Sequence, residues 1–247
     1  VRGTVEFDHV NFRYGEAEED VLHDITFTAR NGETTAFIGA TGCGKSTLIN
    51  LIPRFYDVTG GSIKIDGHDI RDVKLHDLRE AIGYVPQKAV LFSGTIATNV
   101  AYGNEGIRED MDKALEVAQA KEIVEAKAEG IDSPVAQGAA NVSGGQKQRL
   151  SIARALAKKP SIYIFDDSFS ALDFKTDAAL RHALSDYTGD STVIIVAQRV
   201  STIMNAEQII VLDEGKIVGR GTHEELLSSC SYYKAICESQ LSKEELA

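Results

Sequence analysis

The residue types best suited to chemistry are concentrated at positions 39–47, which have the sequence GATGCGKST. They match the pattern G-x-x-x-x-G-K-[ST], in which glycines let successive backbone N–H groups converge on phosphate oxygens. In this pattern Lys45 reaches the β- and γ-phosphates, and the Ser46 hydroxyl is a ligand of Mg²⁺. A helix predicted over 47–55 adds its dipole to the attraction for phosphate. The residues expected to bind the nucleotide are Gly39, Thr41, Gly42, Cys43, Gly44, Lys45, Ser46 and Thr47.

The acidic residues Asp166 and Asp167 form a second candidate site, because they directly follow the apolar segment 162–165. In proteins with a phosphate-binding loop, a carboxylate delivered by such a strand holds Mg²⁺. We therefore expect Asp166 and Ser46 to act together at a magnesium ion beside the phosphates of a bound nucleotide.

Three short apolar segments, 35–38, 162–165 and 193–196, predict the strands that position these residues. Each is followed by a polar or glycine-rich turn. This is typical of a parallel sheet that is covered on both faces and carries its functional residues at the strand ends. The phosphate loop and the two acidic residues are then expected at one edge of the sheet.

Other patterns predict an antiparallel sheet and a helical region around this core. Residues 4–14 alternate between apolar and polar with one kink, and residues 61–70 form a predicted hairpin. Between about 88 and 158 the apolar residues recur with a helical period. A second hairpin is expected over 208–220, followed by a polar helix from about Glu224.

The composition argues against several classes of protein. With 26 Lys and Arg residues against 37 Asp and Glu residues, the formal net charge is −11, which disfavours sequence-independent binding to nucleic acid. The longest apolar run, 193–197, is far shorter than the roughly 20 residues of a membrane-spanning helix. The cysteines Cys43, Cys230 and Cys237 lack metal-ligand spacing and are consistent with a reducing cytosol.

A further phosphate-binding element is predicted at Ser143, Gly144 and Gly145, which open a helix that continues to about residue 158. The free N–H groups and the positive dipole end of that helix suit an anion. The helix is roughly 20 Å long and leads almost directly into the next strand, so its first turn is expected to lie too far from Lys45 to share a nucleotide. This placement suggests the nucleotide of a second subunit as the ligand, although Ser143 could also be a simple helix cap.

Residues 141–149, with the sequence NVSGGQKQR, resemble the signature motif of ATP-binding-cassette (ABC) proteins, and the resemblance extends over essentially the whole chain. In that family two nucleotide-binding domains enclose two ATP molecules head to tail. The resemblance implies that Ser143, Gly144, Gly145 and Gln146 complete the ATP site of a second ABC nucleotide-binding domain.

Four further positions match the family in order along the chain, namely Tyr14, Gln87, Asp173 and Gln198. The resemblance implies that Tyr14 stacks on adenine and that Gln87 senses Mg²⁺ and the γ-phosphate. It places Asp173 in the D-loop, among the nucleotide-binding residues, and Gln198 in the H-loop. From residue type alone, Tyr14 could be a core residue, Gln87 a turn residue and Asp173 a helix cap.

The resemblance implies an α/β fold. It consists of a P-loop NTPase (RecA-like) core with a mixed sheet, an N-terminal antiparallel β subdomain and an inserted α-helical subdomain over about 88–158. Residues 1–247 are expected to form a single nucleotide-binding domain of the exporter type, to which segments 91–99 and 221–226 are most similar. A transmembrane domain is expected upstream in the full protein. The domain would then act at the cytoplasmic face of the cell membrane, with the transmembrane domains of the exporter as partners.

Two positions depart from the pattern of active ABC ATPases. Asp167 stands where the family usually has a glutamate that positions water or acts as a base, and its carboxylate falls back by roughly 1.5 Å. Gln198 stands where the family usually has a histidine, and its amide cannot become cationic. Since a misplacement of about 1 Å costs on the order of 10²-fold in rate, slow hydrolysis of bound MgATP is expected. Together with Gln87, these two are the candidate catalytic residues.

An intact signature beside a weakened ATP site resembles the degenerate-site subunit of a heterodimeric multidrug exporter, whose partner is a different chain. Residues 135–138 also replace a segment that usually carries Glu-Arg where the membrane domain is contacted, which leaves the coupling open. Three alternatives stay open: a homodimeric exporter domain in which Asp167 is competent, a soluble ABC ATPase not linked to transport, and an ATP-gated dimerisation module without turnover.

Overall fold

The chain forms layers of sheet and helix in a computed structural model, which describes residues 1–102, 104–242 and 246. The strands are β1 (Val5–Phe12), β2 (Leu22–Ala29), β3 (Thr34–Ile38), β4 (Gly60–Ile65), β5 (His68–Asp69), β6 (Ile82–Val85), β7 (Gly94–Thr95), β8 (Pro134–Val135), β9 (Ile162–Asp166), β10 (Thr192–Val196), β11 (Gln208–Asp213) and β12 (Lys216–Gly221). The α-helices are α1 (Lys45–Asn50), α2 (Leu75–Glu80), α3 (Ile96–Ala101), α4 (Arg108–Val117), α5 (Lys121–Glu125), α6 (Gly144–Ala157), α7 (Phe174–Thr188), α8 (Val200–Ile203), α9 (His223–Ser229) and α10 (Ser231–Gln240).

A six-stranded mixed sheet forms the centre of the fold, with the strand order β12-β11-β3-β10-β9-β6. The strands from β11 to β6 are parallel, and β12 joins the edge as the antiparallel arm of the predicted second hairpin. Every residue of β9 and β10 is buried, as expected for apolar strands that are covered on both faces. The three strands predicted from apolar segments are thus confirmed, and their carboxyl ends lie at one edge.

A second, antiparallel sheet with the order β2-β1-β4-β5 packs against the central sheet. The register of β1 shifts between Phe7 and Val10, where His9 has a positive φ of 47°, and this is the kink predicted from the alternation. Phe27 of this sheet contacts Phe37 of β3 with ring centroids 5.1 Å apart. The contact belongs to one apolar core that the two sheets share with α1.

The region between about 88 and 158 is predominantly helical, as the periodicity predicts. The apolar residues of α4 and α6 are buried together in one core, which includes Met111, Leu115, Leu150 and Leu156. A small antiparallel pair, β7 with β8, also ties the start of α3 to the segment before α6. Two paired residues a side give too short a pattern to be recognised in the sequence.

Two helices differ from their predicted extents. The helix predicted over 47–55 is shorter and begins earlier, because α1 spans only Lys45–Asn50. Leu51 and Ile52 donate to carbonyls three residues back, which tightens the chain ahead of Pro53. The predicted C-terminal helix is divided into α9 and α10, because Cys230 adopts an extended conformation between them.

No helix within residues 1–102, 104–242 and 246 combines the length and apolarity needed to cross a bilayer.

Candidate nucleotide-binding site

A cavity of about 310 Å³ opens at the edge of the central sheet where β3, β9 and β10 end. It brings together most of the phosphate loop with both acidic residues and with Gln87 and Gln198. Its lining residues are Val21, Thr41, Gly42, Gly44, Lys45, Ser46, Thr47, Gln87, Asp166, Asp167, Val196 and Gln198. Two loop residues predicted to bind nucleotide, Gly39 and Cys43, are not among these lining residues.

Lys45 supplies a buried positive charge to this cavity. The residue is only 7% exposed, and its Nζ donates to the carbonyl of Gly39 at 2.5 Å. Within the described parts of the chain, Lys45 forms no ion pair with a carboxylate. A buried cation that has only a neutral acceptor is well suited to an anionic ligand, so this residue fits a nucleotide phosphate.

The glycines of the loop have backbone conformations that larger residues would not adopt. Gly42 and Gly44 have φ values of +83° and +105°, and a Cβ at Gly44 would lie 2.8 Å from Leu22 Cδ2. A Cβ at Gly39 would lie 2.3 Å from the carbonyl oxygen of Leu212. Gly39 therefore acts through close packing beneath the loop. The Cys43 side chain is buried there as well, and burial raises the pKa of its thiol.

Asp166 and Ser46 are joined directly in the cavity. The Ser46 hydroxyl donates to Asp166 Oδ1 at 3.1 Å, which brings together a hydroxyl and a carboxylate, both of them ligands that Mg²⁺ prefers. Burial raises the pKa of Asp166, and this effect is opposed by the hydrogen bond from Ser46. The carboxylate is thus positioned for a cation, and its ionisation lowers the stability of the folded state.

The raised pKa predicts that Asp166→Asn stabilises the chain when no nucleotide is bound. A folded-state pKa above that of the unfolded chain means that ionisation destabilises the fold, so wild-type stability falls as pH rises through this window. At pH 7 the variant is expected to have the higher Tm. Each kcal/mol added to the free energy of unfolding raises the Tm by about 2–4 °C. The difference should shrink as the pH is lowered towards 4.

Thermal unfolding at several pH values, with and without millimolar Mg²⁺ and ATP, measures this effect. Wild type should gain stability from Mg²⁺ together with ATP, whereas Asp166→Asn should lose most of the contribution that depends on Mg²⁺. Equal Tm values for the two proteins across the pH range would show that the ionised, buried Asp166 carboxylate does not destabilise the fold.

Asp167 lies beside Asp166 in an unusual backbone conformation. Its φ is +48°, which is uncommon for a residue other than glycine but is better tolerated by Asp than by most residues. Its N–H donates to the carbonyl of Val196 at 2.8 Å, and its Oδ2 accepts from Gln87 Nε2 at 3.3 Å. Burial raises the pKa of Asp167, whereas the charge of Lys45 opposes that shift.

Gln198 lines the same cavity as the phosphate loop, and its neighbour Arg199 ties this turn to the segment after Asp167. The Arg199 guanidinium donates to the carbonyls of Ser170 and Leu172, with its shortest bond, to Ser170, at 2.9 Å. It also lies 3.4 Å from the buried Asp177 carboxylate. Neither Arg199 nor Asp177 could be recognised from a periodic pattern, since their contacts join distant parts of the chain.

Tyr14 lies at the mouth of the loop and is 38% exposed. Its hydroxyl is 2.6 Å from the hydroxyl of Thr47, and its ring meets Phe12 and Tyr56 edge-on. The ring is therefore neither a buried core residue nor isolated. It forms part of an aromatic group next to the nucleotide cavity, and its stacking on adenine stays a prediction.

The predicted anion-binding turn at the start of α6 is well formed but lies apart from the cavity. Ser143 caps the helix by accepting from the N–H of Gln146, whose side chain accepts in return from the N–H of Ser143. No residue from Ser143 to Gln146 is among the described residues that line the cavity. A Cβ at Gly144 would meet open space.

Asp173 also lies outside the cavity lining. It caps α7, because its Oδ1 accepts from the N–H of Thr176 at 2.8 Å. Hydrogen bonds from Thr176 lower the pKa of Asp173. The cap predicted from residue type is thus present, while a nucleotide contact for Asp173 stays a prediction.

A phosphate loop after β3, an acidic strand end at β9 and a parallel sheet between them define a nucleotide-binding domain of the P-loop NTPase class. Within this class, the capped turn at Ser143–Gln146 carries the motif that resembles the ABC signature. The profile of the ABC transporter family matches residues 22–170, which is more than half of the chain, and the chain therefore belongs to the ABC transporter family. ATP-binding domains of this family are ATPases that couple hydrolysis to transport.

Two relatives show how far the similarity extends. An uncharacterized ABC transporter ATP-binding protein of Mycobacterium tuberculosis is 49% identical over 244 residues, which is 97% of this chain and 42% of the relative. A putative multidrug export ATP-binding/permease protein of Bacillus subtilis is 43% identical over 235 residues, which is 95% of this chain and 40% of the relative. The chain thus spans less than half the length of these proteins.

Among solved structures, a bacterial Atm1-family ABC exporter with ATP bound superposes with a TM-score of 0.93. It is 38% identical to this chain, and the superposition covers 98% of this chain and 42% of the exporter chain. The predicted α/β fold and the assignment to the exporter type of ABC nucleotide-binding domain are confirmed by this similarity together with the family match.

Proposed function

We propose that the chain is the ATP-binding domain of an ABC exporter and that it binds MgATP in the cavity at the edge of the central sheet. The observation that carries this proposal is the buried Lys45, which forms no ion pair within the described residues, beside the hydrogen-bonded Ser46 and Asp166. When bound, Mg²⁺ would neutralise negative charge on the nucleotide phosphates. Lys45 would hold the phosphates, whereas Ser46 and Asp166 would hold the cation.

The signature turn serves a second domain in this proposal. Ser143, Gly144 and Gly145 present the first turn of α6, outside the cavity of their own chain. A turn that offers free N–H groups to an anion but lies away from its own phosphate loop is suited to the nucleotide of a partner. Two nucleotide-binding domains would then pack head to tail, and we propose that the partner domain belongs to a different chain.

Hydrolysis in the chain's own cavity is proposed to be slow. Asp167 is one methylene shorter than the glutamate usual in the family, and its carboxylate is engaged by Gln87. Gln198 can donate to or accept from a phosphate or water but cannot carry a charge there. Both differences weaken the alignment of an attacking water, while neither weakens the contacts that hold the phosphates.

The attachment to a membrane protein is inferred from the relatives. The Bacillus subtilis protein is named as a multidrug export ATP-binding/permease protein, and this chain matches only 40% of its length. We propose that this chain works together with transmembrane domains at the cytoplasmic face of the cell membrane. The homodimeric exporter domain is the main alternative, because Asp167 keeps a carboxylate at the catalytic position.

Binding and turnover measured separately test the proposal. The chain alone is expected to bind MgATP at micromolar to millimolar concentrations, yet to hydrolyse it roughly 10²-fold more slowly than a family member that has Glu and His at the two positions. Titration of the chain against a cognate partner domain should restore hydrolysis in proportion to the mixed dimer. A rate that rises with the square of this chain's concentration alone would support the homodimer instead.

A further inference from the structure

The turn that carries Gln198 is held from a distant part of the chain by Gln240, the last residue of α10. The Nε2 of Gln240 donates to the carbonyl of Gln198 at 2.8 Å, and its Oε1 accepts from the N–H of Val200 at 2.8 Å. A single primary amide thus pairs with one acceptor and one donor of the backbone on either side of Arg199. Only one orientation of the amide satisfies both partners.

Gln240 provides hydrogen-bond partners for backbone groups of this turn that the local structure does not pair. Val200 is the first residue of α8, and Arg199 at the N-cap provides no side-chain hydrogen bond to that helix. The first N–H groups of a helix lack partners within the helix. Gln240 supplies the acceptor for Val200 from 40 residues further along the chain.

The helix α10 is anchored firmly enough to hold this position. Tyr233 and Cys237 of α10 are fully buried and belong to the same core as Val200 and Ile203 of α8. The Tyr233 hydroxyl is also 2.6 Å from His223 Nδ1. The end of α10 is therefore fixed relative to the sheet rather than to the turn alone.

We propose that Gln240 is a positioning residue for the ATP site, because it holds the Gln198–Val200 turn so that Gln198 stays at the cavity that it lines together with the phosphate loop. This inference rests on the proposed function, since it takes the terminal phosphate of ATP as the group that Gln198 meets. The C-terminal helix then stabilises the ATP-bound state more than the ADP-bound state, because ADP lacks that phosphate.

The variant Gln240→Ala, made in the full chain, separates this role from ordinary packing. It is expected to weaken the binding of MgATP about fivefold, the size of one net hydrogen bond, while the affinity for MgADP changes less than twofold. Hydrogen exchange of peptides that contain Val200 should become faster without nucleotide. Gln240→Glu keeps an acceptor for Val200 but loses the donor to Gln198, so it should retain slow exchange and still lower the preference for ATP.

Ser239→Ala is the matched control, because its exposed hydroxyl donates to Ile236 of α10 and has no other hydrogen bond among the residues that the structure describes. It should leave both nucleotide affinities and the exchange near Val200 unchanged. Equal weakening of ATP and ADP in Gln240→Ala, or unchanged exchange at Val200, would overturn the positioning role. Failure of the unchanged chain to bind either nucleotide would instead overturn the proposed function.

Discussion

The double variant Asp167→Glu, Gln198→His is expected to hydrolyse ATP about 10²-fold faster than the wild-type chain under conditions that allow it to dimerise. The added methylene moves the carboxylate roughly 1.5 Å towards the cavity, and a shift of that size is worth on the order of 10²-fold in rate. The histidine adds a side chain that can become cationic where the amide of Gln198 cannot. ATP affinity should change little, because Lys45, Ser46 and Asp166 are untouched and the histidine at position 198 can still donate a hydrogen bond to the terminal phosphate.

Single-turnover hydrolysis of ATP, measured at rising chain concentration, checks this result. The matched control is Asp167→Gln with Gln198→His, which has the longer side chain without a carboxylate and should stay as slow as wild type. Wild-type turnover equal to that of the double variant would show that Asp167 is already competent. The weakened-site interpretation would then be wrong, and the homodimer would become the better proposal.

A cost in stability is expected to accompany this gain. Asp167 has a φ of +48°, and a left-handed conformation costs a longer side chain such as Glu roughly 1 kcal/mol. The double variant should therefore unfold a few degrees below wild type in the absence of nucleotide. Because the control with Gln carries the same backbone cost, the effect on rate is separated from the effect on stability.

The variant Gly144→Asp is expected to reduce hydrolysis in a mixture with the cognate partner by about 10²-fold, while ATP binding by the isolated chain is unchanged. The added carboxylate repels the partner's nucleotide phosphate where the first turn of α6 would otherwise stabilise negative charge, and lost stabilisation of a reacting anion costs on this scale. A side chain at Gly144 meets open space, so the fold should accommodate it. A negative charge at the start of α6 is also favourable for the helix itself.

Gly144→Asn is the matched control for charge, since it has the same shape without the negative charge. It should retain most of the activity of the mixture, and both variants should have the Tm of wild type or slightly above. The measurement is steady-state ATP hydrolysis by the mixed domains, together with ATP affinity of each variant alone. Equal activity of the Asp and Asn variants would contradict a phosphate at the first turn of α6.

The cavity itself was largely predictable from the sequence, because its residues are adjacent along the chain or follow recognisable strands. Lys45 and Ser46 occur within one short motif, and Asp166 follows an apolar run whose short length and β-branched and aromatic residues favour a buried strand. These residues are expected at one edge of the sheet because the carboxyl ends of neighbouring parallel strands lie there. Gln198 entered the prediction through the family pattern and does line the cavity.

The supports of the site could not be predicted in the same way. Gln240 and Arg199 act through hydrogen bonds to backbone atoms of distant segments, and such bonds leave no periodicity or compositional bias in the sequence. The early end of α1 depended on the balance between an apolar period and Pro53. The pairing of β7 with β8 involves too few residues to produce an alternation.

The position of β3 between β10 and β11 has a consequence for how the protein is made. On the ribosome, β1, β2 and β4 are complete long before β10 begins at Thr192, so the antiparallel sheet can form early. The strand that leads into the phosphate loop has no neighbour in its own sheet until β10 and β11 emerge. At about 5–20 residues per second, this strand waits on the order of ten seconds or more. The nascent chain therefore gains its nucleotide site late in synthesis, and translation arrest before residue 192 leaves an apolar strand for chaperones to cover.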